Sequence, residues 1–561
     1  MKRIRTTAAT TLSKSIGLDE AQILSALKLP PNPEMGDIAF PCFMLSKKLR
    51  KSPAEIAESL SKEIELPDLF AKVRSQGPFL NFSVNPSVLA KDLLTEIHSL
   101  GPAYGSARSG KGKKVLIEYS SPNIAKPMGI HHIRTTMIGN SLAHIYAKNG
   151  FECMRMNYVG DWGTSFGKLI YALKNWGQNK EHYTPLELNE LYIRFCREAE
   201  NNPELEDSAR AEFHSLEKGE KEATAAWNTI KQESLRQFEN VYRKLGVEFD
   251  GYTGESDYYR SAESVVEKAR AAGITRESDS ALVVPMDDGP PCILRKKDGS
   301  TIYGVRDLAA AIDRKEKYGF DKMLYVVAHS QALHFRQVFT VLEKLGFEWA
   351  SDCEHVPFGL ISFNDAKMST RKGNVLYLND VLDEAFERVR EKVAESAPHL
   401  LEKEDVLRQV ATGAVVFADL SSKRMKDVTF SWDEILNFEG ETGPYLQYTH
   451  ARCKSIIRKA GAAPDKTADP GRIQTRTERE VLKKLDAFPD AVEKACSENE
   501  PSIISSGMLE LAAAFNSFYH AEKVIQEDAA LQNARLLLVD CVATVLKEGL
   551  RLLGLHAPEE M

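Results

Sequence analysis

The chain lacks a C-x-x-C pair, an apolar run long enough to span a bilayer, an internal repeat, a low-complexity tract and an excess of basic charge. Each absence narrows the field. The eight cysteines (Cys42, Cys153, Cys196, Cys292, Cys353, Cys453, Cys496 and Cys541) are scattered along the chain. Metal sites and disulfide frameworks need clustered spacings, so free thiols, a reducing compartment and no protein metal site are expected. Without a spanning segment, no membrane role is expected. The formal net charge is −7, from 73 basic and 80 acidic residues. That balance exerts no overall pull toward nucleic acid, so any contact with RNA must rest on local basic patches. The opening stretch MKRIRTTAATTLSKSIG holds no acid and superficially suggests a transit peptide. Leu12, Ile16, Ile23, Leu24 and Leu27 instead give it the apolar face of an opening helix, which points to a cytoplasmic protein.

What is present has an ordered texture. At 561 residues the chain is too long for one core and is expected to hold three or four domains. Residues 1–108 mix helical periodicity with short extended pieces such as GPFLNFSVNP. The Gly/Ser/Lys-rich link YGSARSGKGKK then marks a boundary. Over 109–380 apolar strands, turns and amphipathic helices alternate, the signature of a parallel sheet. A charged, mainly helical insertion interrupts this region at about 174–280. Residues 381–561 keep helical period nearly throughout, with a loop expected at Ala462–Gly471. The fold class is therefore α/β multidomain: a Rossmann-type parallel-sheet domain with a helical insertion, an α+β N-terminal domain and an all-α C-terminal domain.

Val115–Leu116–Ile117 is the apolar run a buried parallel strand requires. SSPN and Ala125–Lys126–Pro127 follow, and a helix begins near His132 and stops at Gly150. Cys153–Val159 is the next strand. The start of such a crossover helix presents free N–H groups at the sheet's carboxyl edge and can hold triphosphate. A second set follows: a helix from Tyr303, an apolar strand Met323–Val327, a helix from Gln331 to about Gly346 and a last strand His355–Ile361. After it comes the cationic segment AKMSTRKGN.

The wording on this scaffold is more specific than the scaffold itself. IEYSSPNIAKP, the tetrapeptide Gly129–Ile130–His131–His132, Arg134, NYVGDWGTSFG and KMSTRKG resemble the arginyl-tRNA synthetase family of the first synthetase class. PPNPEMGDIAFPCFMLSKKLRKSPAEIAESL, the stretch from Ala225 to Tyr259, GPYLQYTHARCKSIIRKA and LLGLHAPEEM extend the likeness over essentially the whole chain.

The resemblance implies ATP-dependent activation of L-arginine to arginyl-adenylate and transfer to the 3′ end of tRNA(Arg). Mg²⁺ would ride on the ATP phosphates. It places Lys126, His132, Lys367, Arg371 and Lys372 in the catalytic machinery, and Gly129, His131, His132, Gln331, His334, Met368 and Ser369 against ATP. A planar, permanently charged guanidinium needs carboxylates. The family's arginine contacts match Glu118, Asn123, Tyr303, Asp307 and Gln331, with Glu118 and Asp307 supplying the charge. Taken singly, Glu118 also reads as a strand-end acid, Asp307 as a first-turn helix acid and Gln331 as a cap neighbour. The RNA-facing candidates are Lys47 and Lys48 in the N-terminal part, for the tRNA elbow, and Tyr448, Arg452, Arg458 and Lys459 in the helical part, for the anticodon. A monomer is expected.

The chain departs from the family pattern. The family's H-x-G-H tetrapeptide is Gly129–Ile130–His131–His132, the fourth position of K-M-S-K-S is Thr370, the Gly-x-acid tract is Ala328–His329–Ser330, and a glutamine is Ser165. These changes cluster on the ATP side. They keep open a second reading, a tRNA-binding paralogue with lost or altered ATP chemistry, and a third, a duplicate enzyme that evades a nucleotide-mimicking inhibitor. The matching guanidinium set argues against the paralogue.

Overall fold

The computed structural model describes residues 1–124, 126–178, 180, 182–363, 376–461 and 468–561. The expected Ala462–Gly471 loop lies largely outside them, as does the whole KMSTRKG segment, with Lys367, Met368, Ser369, Arg371 and Lys372.

The opening helix spans Lys2–Ile16 and buries Ile4, Ala8, Ala9 and Leu12. It docks on the Arg476–Ser497 helix of the C-terminal part, where the Met1 amino group lies 3.5 Å from Asp486 and 3.4 Å from Asp490. Strands β1 (Ile38–Pro41), β2 (Phe70–Gln76) and β3 (Phe79–Val84) form an antiparallel sheet in the order β1-β3-β2. The N-terminal part is thus α+β.

The central parallel sheet, expected to be the catalytic one, has five strands: β4 (Lys114–Glu118), β5 (Glu152–Val159), β6 (Gly251–Gly254), then, after the β7–β9 sheet described below, β10 (Lys322–Ala328) and β11 (Cys353–Phe358). Their order is β11-β10-β4-β5-β6, and every neighbour pair is parallel. Leu116 and Ile117 of β4 are almost fully buried, as a strand covered on both faces must be. The chain passes from β4 to one side and later returns to its other side at β10. At that switch point the crossover helices diverge and leave a crevice beyond the strands' carboxyl ends.

Two local features differ from the sequence reading. The charged insertion contains helices Pro185–Asn201, Glu204–Glu217 and Lys221–Leu245, but it ends before β6, which belongs to the catalytic sheet. Strands β7 (Arg276–Ser278), β8 (Ala281–Val284) and β9 (Cys292–Arg295) then make a small antiparallel sheet. The expected last strand is broken after Phe358, and Ile361–Phe363 (β12) pairs instead with Val428–Phe430 (β13).

The C-terminal part is built from long helices, including Leu378–Ser396, Glu404–Leu420, Gly443–Ala460, Ser502–Ala521 and Ala529–Leu552. The last of these is long and apolar enough to cross a membrane, which the sequence reading had not allowed for; 61% of that window is buried inside the protein. It is a core helix, packed on Gly443–Ala460, Ser502–Ala521 and the N-terminal Pro86–Leu100. All eight cysteines are free thiols.

Candidate active site

The crevice at the switch point is a cleft of about 270 Å³. Glu118 enters it from the end of β4, Tyr158 from β5, Tyr325 and Val327 from β10, and Tyr303 and Asp307 from the first turns of the Tyr303–Tyr318 helix. Asn123 reaches it because the chain turns sharply after β4. Ser120 and Ser121 hold left-handed backbone angles there, φ 71° and 47°, which cost non-glycine residues on the order of 1 kcal/mol each. The turn is held by the Ser120 N–H donating to Thr135 Oγ1 at 3.0 Å and the Ser121 N–H to Asn157 Oδ1 at 3.2 Å. Asn123 then lies against Gly160, where any Cβ would fall 2.0 Å from Asn123 Oδ1. Gln331 and His334 complete the wall. All five residues matched to arginine contact therefore line one cleft, and His334, matched to ATP, lines it too.

The carboxylates in the cleft are not equivalent. Glu118 is buried and bound by the equally buried guanidinium of Arg314, which lies 4.9 Å over the Tyr158 ring. Burial pushes the Glu118 carboxyl up and Arg314 pulls it down. Glu255, which follows β6, lines the cleft as well and was not singled out from the sequence. Its Oε2 accepts from Arg306 Nε at 2.8 Å, and Arg306 NH2 is 2.7 Å from the same oxygen. Asp307 Oδ2 lies 2.7 Å from His334 Nε2, and the Tyr303 and His334 rings are 4.8 Å apart. Three carboxylates thus meet two guanidinium groups, leaving one negative charge before His334 is counted. Asp307 Oδ1 and Glu255 Oε1 carry no bond among the described residues.

The Gly129–His132 tetrapeptide lies at the start of the His132–Lys148 helix. Its backbone is clamped to the far side of the KMSTRKG segment: the Ile130 N–H donates to the Leu376 carbonyl and the Leu378 N–H to the Met128 carbonyl, both at 2.8 Å. The His131 and His132 rings are 4.1 Å apart. The His131 ring occupies the space above residue 129, where a Cβ would sit 2.6 Å from its Cε1. Gly129 and His131 are thus a matched exchange of a small and a large residue. Lys126 is exposed, with Nζ 5.3 Å from the Tyr192 ring of the insertion.

Burial, with His131 beside it, pulls the His132 imidazole down to about 4. His132 Nδ1 lies 3.0 Å from the Gly129 N–H and 3.2 Å from the Gly129 carbonyl oxygen, so the ring is held by the backbone of residue 129. A depressed histidine contributes stability above its unfolded value near 6.5, and that contribution is lost as pH falls toward 4. In a pH titration followed by NMR of ¹³C-labelled histidine, the His132 signal is expected to turn near pH 4. A midpoint near 6.5 would contradict the buried, neutral ring.

Far from this cleft, a cavity of about 950 Å³ in the helical part is lined by Tyr448, Arg452, Arg458, Lys459, Tyr519 and Lys523, among others. Arg452 lies 4.8 Å over the Tyr448 ring and donates to Asn516 Oδ1 at 2.7 Å. Lys47 and Lys48 are exposed on the short Ser46–Leu49 helix.

Comparison with known proteins bears on this geometry. Residues 94–432 match the family model for the class I (R) tRNA synthetase catalytic domain, 446–561 the DALR anticodon binding domain, and 2–84 the arginyl tRNA synthetase N-terminal domain. Similar curated proteins include the arginine–tRNA ligase of Alkaliphilus metalliredigens, 45% identical with 97% of each chain covered. That of Halothermothrix orenii is 46% identical with the same coverage. Among solved structures, the Thermus thermophilus arginyl-tRNA synthetase aligns over all of both chains with a TM-score of 0.81 and 26% identity.

Proposed function

The chain belongs to the arginyl-tRNA synthetases of the first class, and from that premise we propose how its own residues carry arginine to tRNA(Arg). The observation that carries the reading is the cleft with one surplus negative charge and two open carboxylate oxygens, Asp307 Oδ1 and Glu255 Oε1. A guanidinium entering there can be gripped from both sides. Tyr303 offers a ring and a hydroxyl to it. Glu118, already held by Arg314, braces the wall rather than supplying free charge. Asn123 and Gln331, at the mouth, suit the α-amino and carboxylate ends.

The arginine carboxylate attacks the α-phosphorus of ATP in line and expels pyrophosphate, giving arginyl-adenylate. The 2′-hydroxyl of the terminal adenosine then attacks the acyl carbon and expels AMP. A carboxylate is already a nucleophile, so the first step needs no side-chain base. Positioning and charge stabilisation carry it. His132, its buried ring neutral, faces the phosphates, while Lys126, Lys367, Arg371 and Lys372 supply positive charge to them. Gly129, His131, Met368 and Ser369 complete the nucleotide's surroundings. No cluster of His, Cys, Asp or Glu that could hold a metal occurs among the described residues. Mg²⁺ would arrive on the ATP phosphates.

Lys47 and Lys48 serve the tRNA elbow, and Tyr448, Arg452, Arg458 and Lys459 the anticodon, where an exposed tyrosine can stack on an unpaired base. The protein works as a cytoplasmic monomer in this account. The open carboxylates favour a working ligase over a tRNA-binding paralogue, which has no use for a guanidinium site. Arginine-dependent exchange of labelled pyrophosphate into ATP, measured with and without tRNA(Arg), tests this. Exchange in the presence of tRNA is expected; its absence while tRNA still binds would leave the paralogue.

A further inference from the structure

Arg134 lies two residues beyond His132 on the same helix and is 1% exposed. Its guanidinium is spent on four partners from three segments. Nε is 2.8 Å from Asp419 Oδ1, on the Glu404–Leu420 helix of the C-terminal part. NH1 donates to the Leu360 carbonyl at 3.1 Å and the Lys426 carbonyl at 2.9 Å, and NH2 donates to the Arg424 carbonyl at 3.2 Å. Leu360 belongs to the break between β11 and β12, where the chain leaves the catalytic sheet. That break is stitched to the same C-terminal residues. The Gly359 N–H donates to the Arg424 carbonyl at 2.9 Å, the Val428 N–H to the Leu360 carbonyl at 2.9 Å, and the Leu360 N–H to Asp427 Oδ1 at 2.7 Å. Gly359 admits this approach because a Cβ there would meet Asp427 Oδ1 at 2.6 Å.

We propose that Arg134 is a positioning residue for arginine activation: it fixes the chain where it leaves the catalytic sheet against the helix that His132 heads, and makes that alignment depend on the C-terminal domain. The inference rests on the ligase reading above. Among the described residues no other group joins the His132–Lys148 helix, the β11–β12 break and residues 424–426 at one point. A guanidinium presents five donors in a rigid fork, and this one uses the fork to hold three carbonyls from two separate stretches of chain, Leu360 and residues 424–426. The ion pair at its centre is a poor source of stability. Burial raises the Asp419 carboxyl to about 6 even with Arg134 beside it, and buried pairs of this kind are often replaced by apolar residues without loss. What an apolar replacement cannot do is orient those carbonyls.

The test uses the full-length enzyme and three variants: Asp419→Asn, Arg134→Lys and Arg134→Met. Thermal midpoints, binding of L-arginine and of tRNA(Arg), and kcat and KM in tRNA-dependent pyrophosphate exchange are measured for each. Positioning predicts that kcat per folded molecule falls about tenfold or more in Asp419→Asn and further in Arg134→Met. Arg134→Lys should recover part of the loss, while the arginine KM and the tRNA affinity stay within about twofold of the parent. Should Arg134→Met not fold, Asp419→Asn, which keeps the size and an acceptor oxygen, decides the matter. Variants that keep the parental kcat per folded molecule, or that lose arginine affinity instead, overturn the inference alone. A parent chain with no arginine-dependent exchange overturns the ligase reading and this inference with it.

Discussion

Asp307→Asn is expected to raise the KM for arginine by roughly a hundredfold or more, about 3 kcal/mol, with little change in the KM for ATP. The substitution keeps the size of the side chain and removes its charge. With Glu118 neutralised by Arg314 and one oxygen of Glu255 spent on Arg306, Asp307 is the carboxylate in the cleft that has no lysine or arginine partner among the described residues, only the ring of His334. Removing it leaves the incoming guanidinium in a cleft with no surplus negative charge. Buried charge pairs that lose one member lose about 2–5 kcal/mol, much of it the penalty on the member left behind. Steady-state pyrophosphate exchange over a range of arginine concentrations reads the effect. A variant that keeps the parental arginine KM would remove Asp307 from the guanidinium site. Glu255→Gln should move the same parameter in the same direction by less, because Arg306 stays to be satisfied by the amide.

Arg314→Met is expected to cost about 3–5 kcal/mol of stability, because it strands the buried Glu118 carboxylate. For a domain of this size that corresponds to a thermal midpoint lower by roughly 6–12 °C. The deficit carries a pH signature. Burial already holds the Glu118 carboxyl above its unfolded value near 4.3, and without Arg314 burial and the Asp307 charge raise it further. A carboxyl raised in this way binds its proton in the folded state first, so the folded state gains as pH falls. The loss should therefore be largest near pH 8 and shrink toward pH 5. Pairing Arg314→Met with Glu118→Leu should recover much of the stability and none of the activity. Differential scanning calorimetry at several pH values checks this, and a single variant as stable as its parent would show that the pair is not what holds this wall.

How much of this could be read from residues alone depended on whether the signal was local. The strands β4 and β10 announce themselves as short apolar runs, β5 by its place after the helix that stops at Gly150, and the Tyr303–Tyr318 helix by apolar residues three and four apart. Strand β6 does not. Gly251–Tyr252–Thr253–Gly254 contains no apolar run and becomes a strand only by pairing with β5, so periodicity carries the insertion past it and gives no sign of Glu255 at the strand's end. Arg314 carries a signal in its spacing. It lies seven residues after Asp307, which puts both on one helix face, and a cation on the face of a proposed guanidinium site calls for a carboxylate to hold it. Arg134 gave no such hint, since its partners at Leu360, Asp419, Arg424 and Lys426 are distant in the chain and three of them are backbone carbonyls. The tetrapeptide Gly129–Ile130–His131–His132 was legible as a departure; only the geometry shows that the glycine makes room for the histidine.

A crystal structure of the protein with L-arginine bound tests the account most directly. The guanidinium should lie between Asp307 and Glu255, bonded to the oxygens now open, with the Glu118–Arg314 pair unbroken behind it and the α-amino group near Asn123. A guanidinium bonded to Glu118, with Arg314 displaced, or an arginine seated outside this cleft, would contradict it.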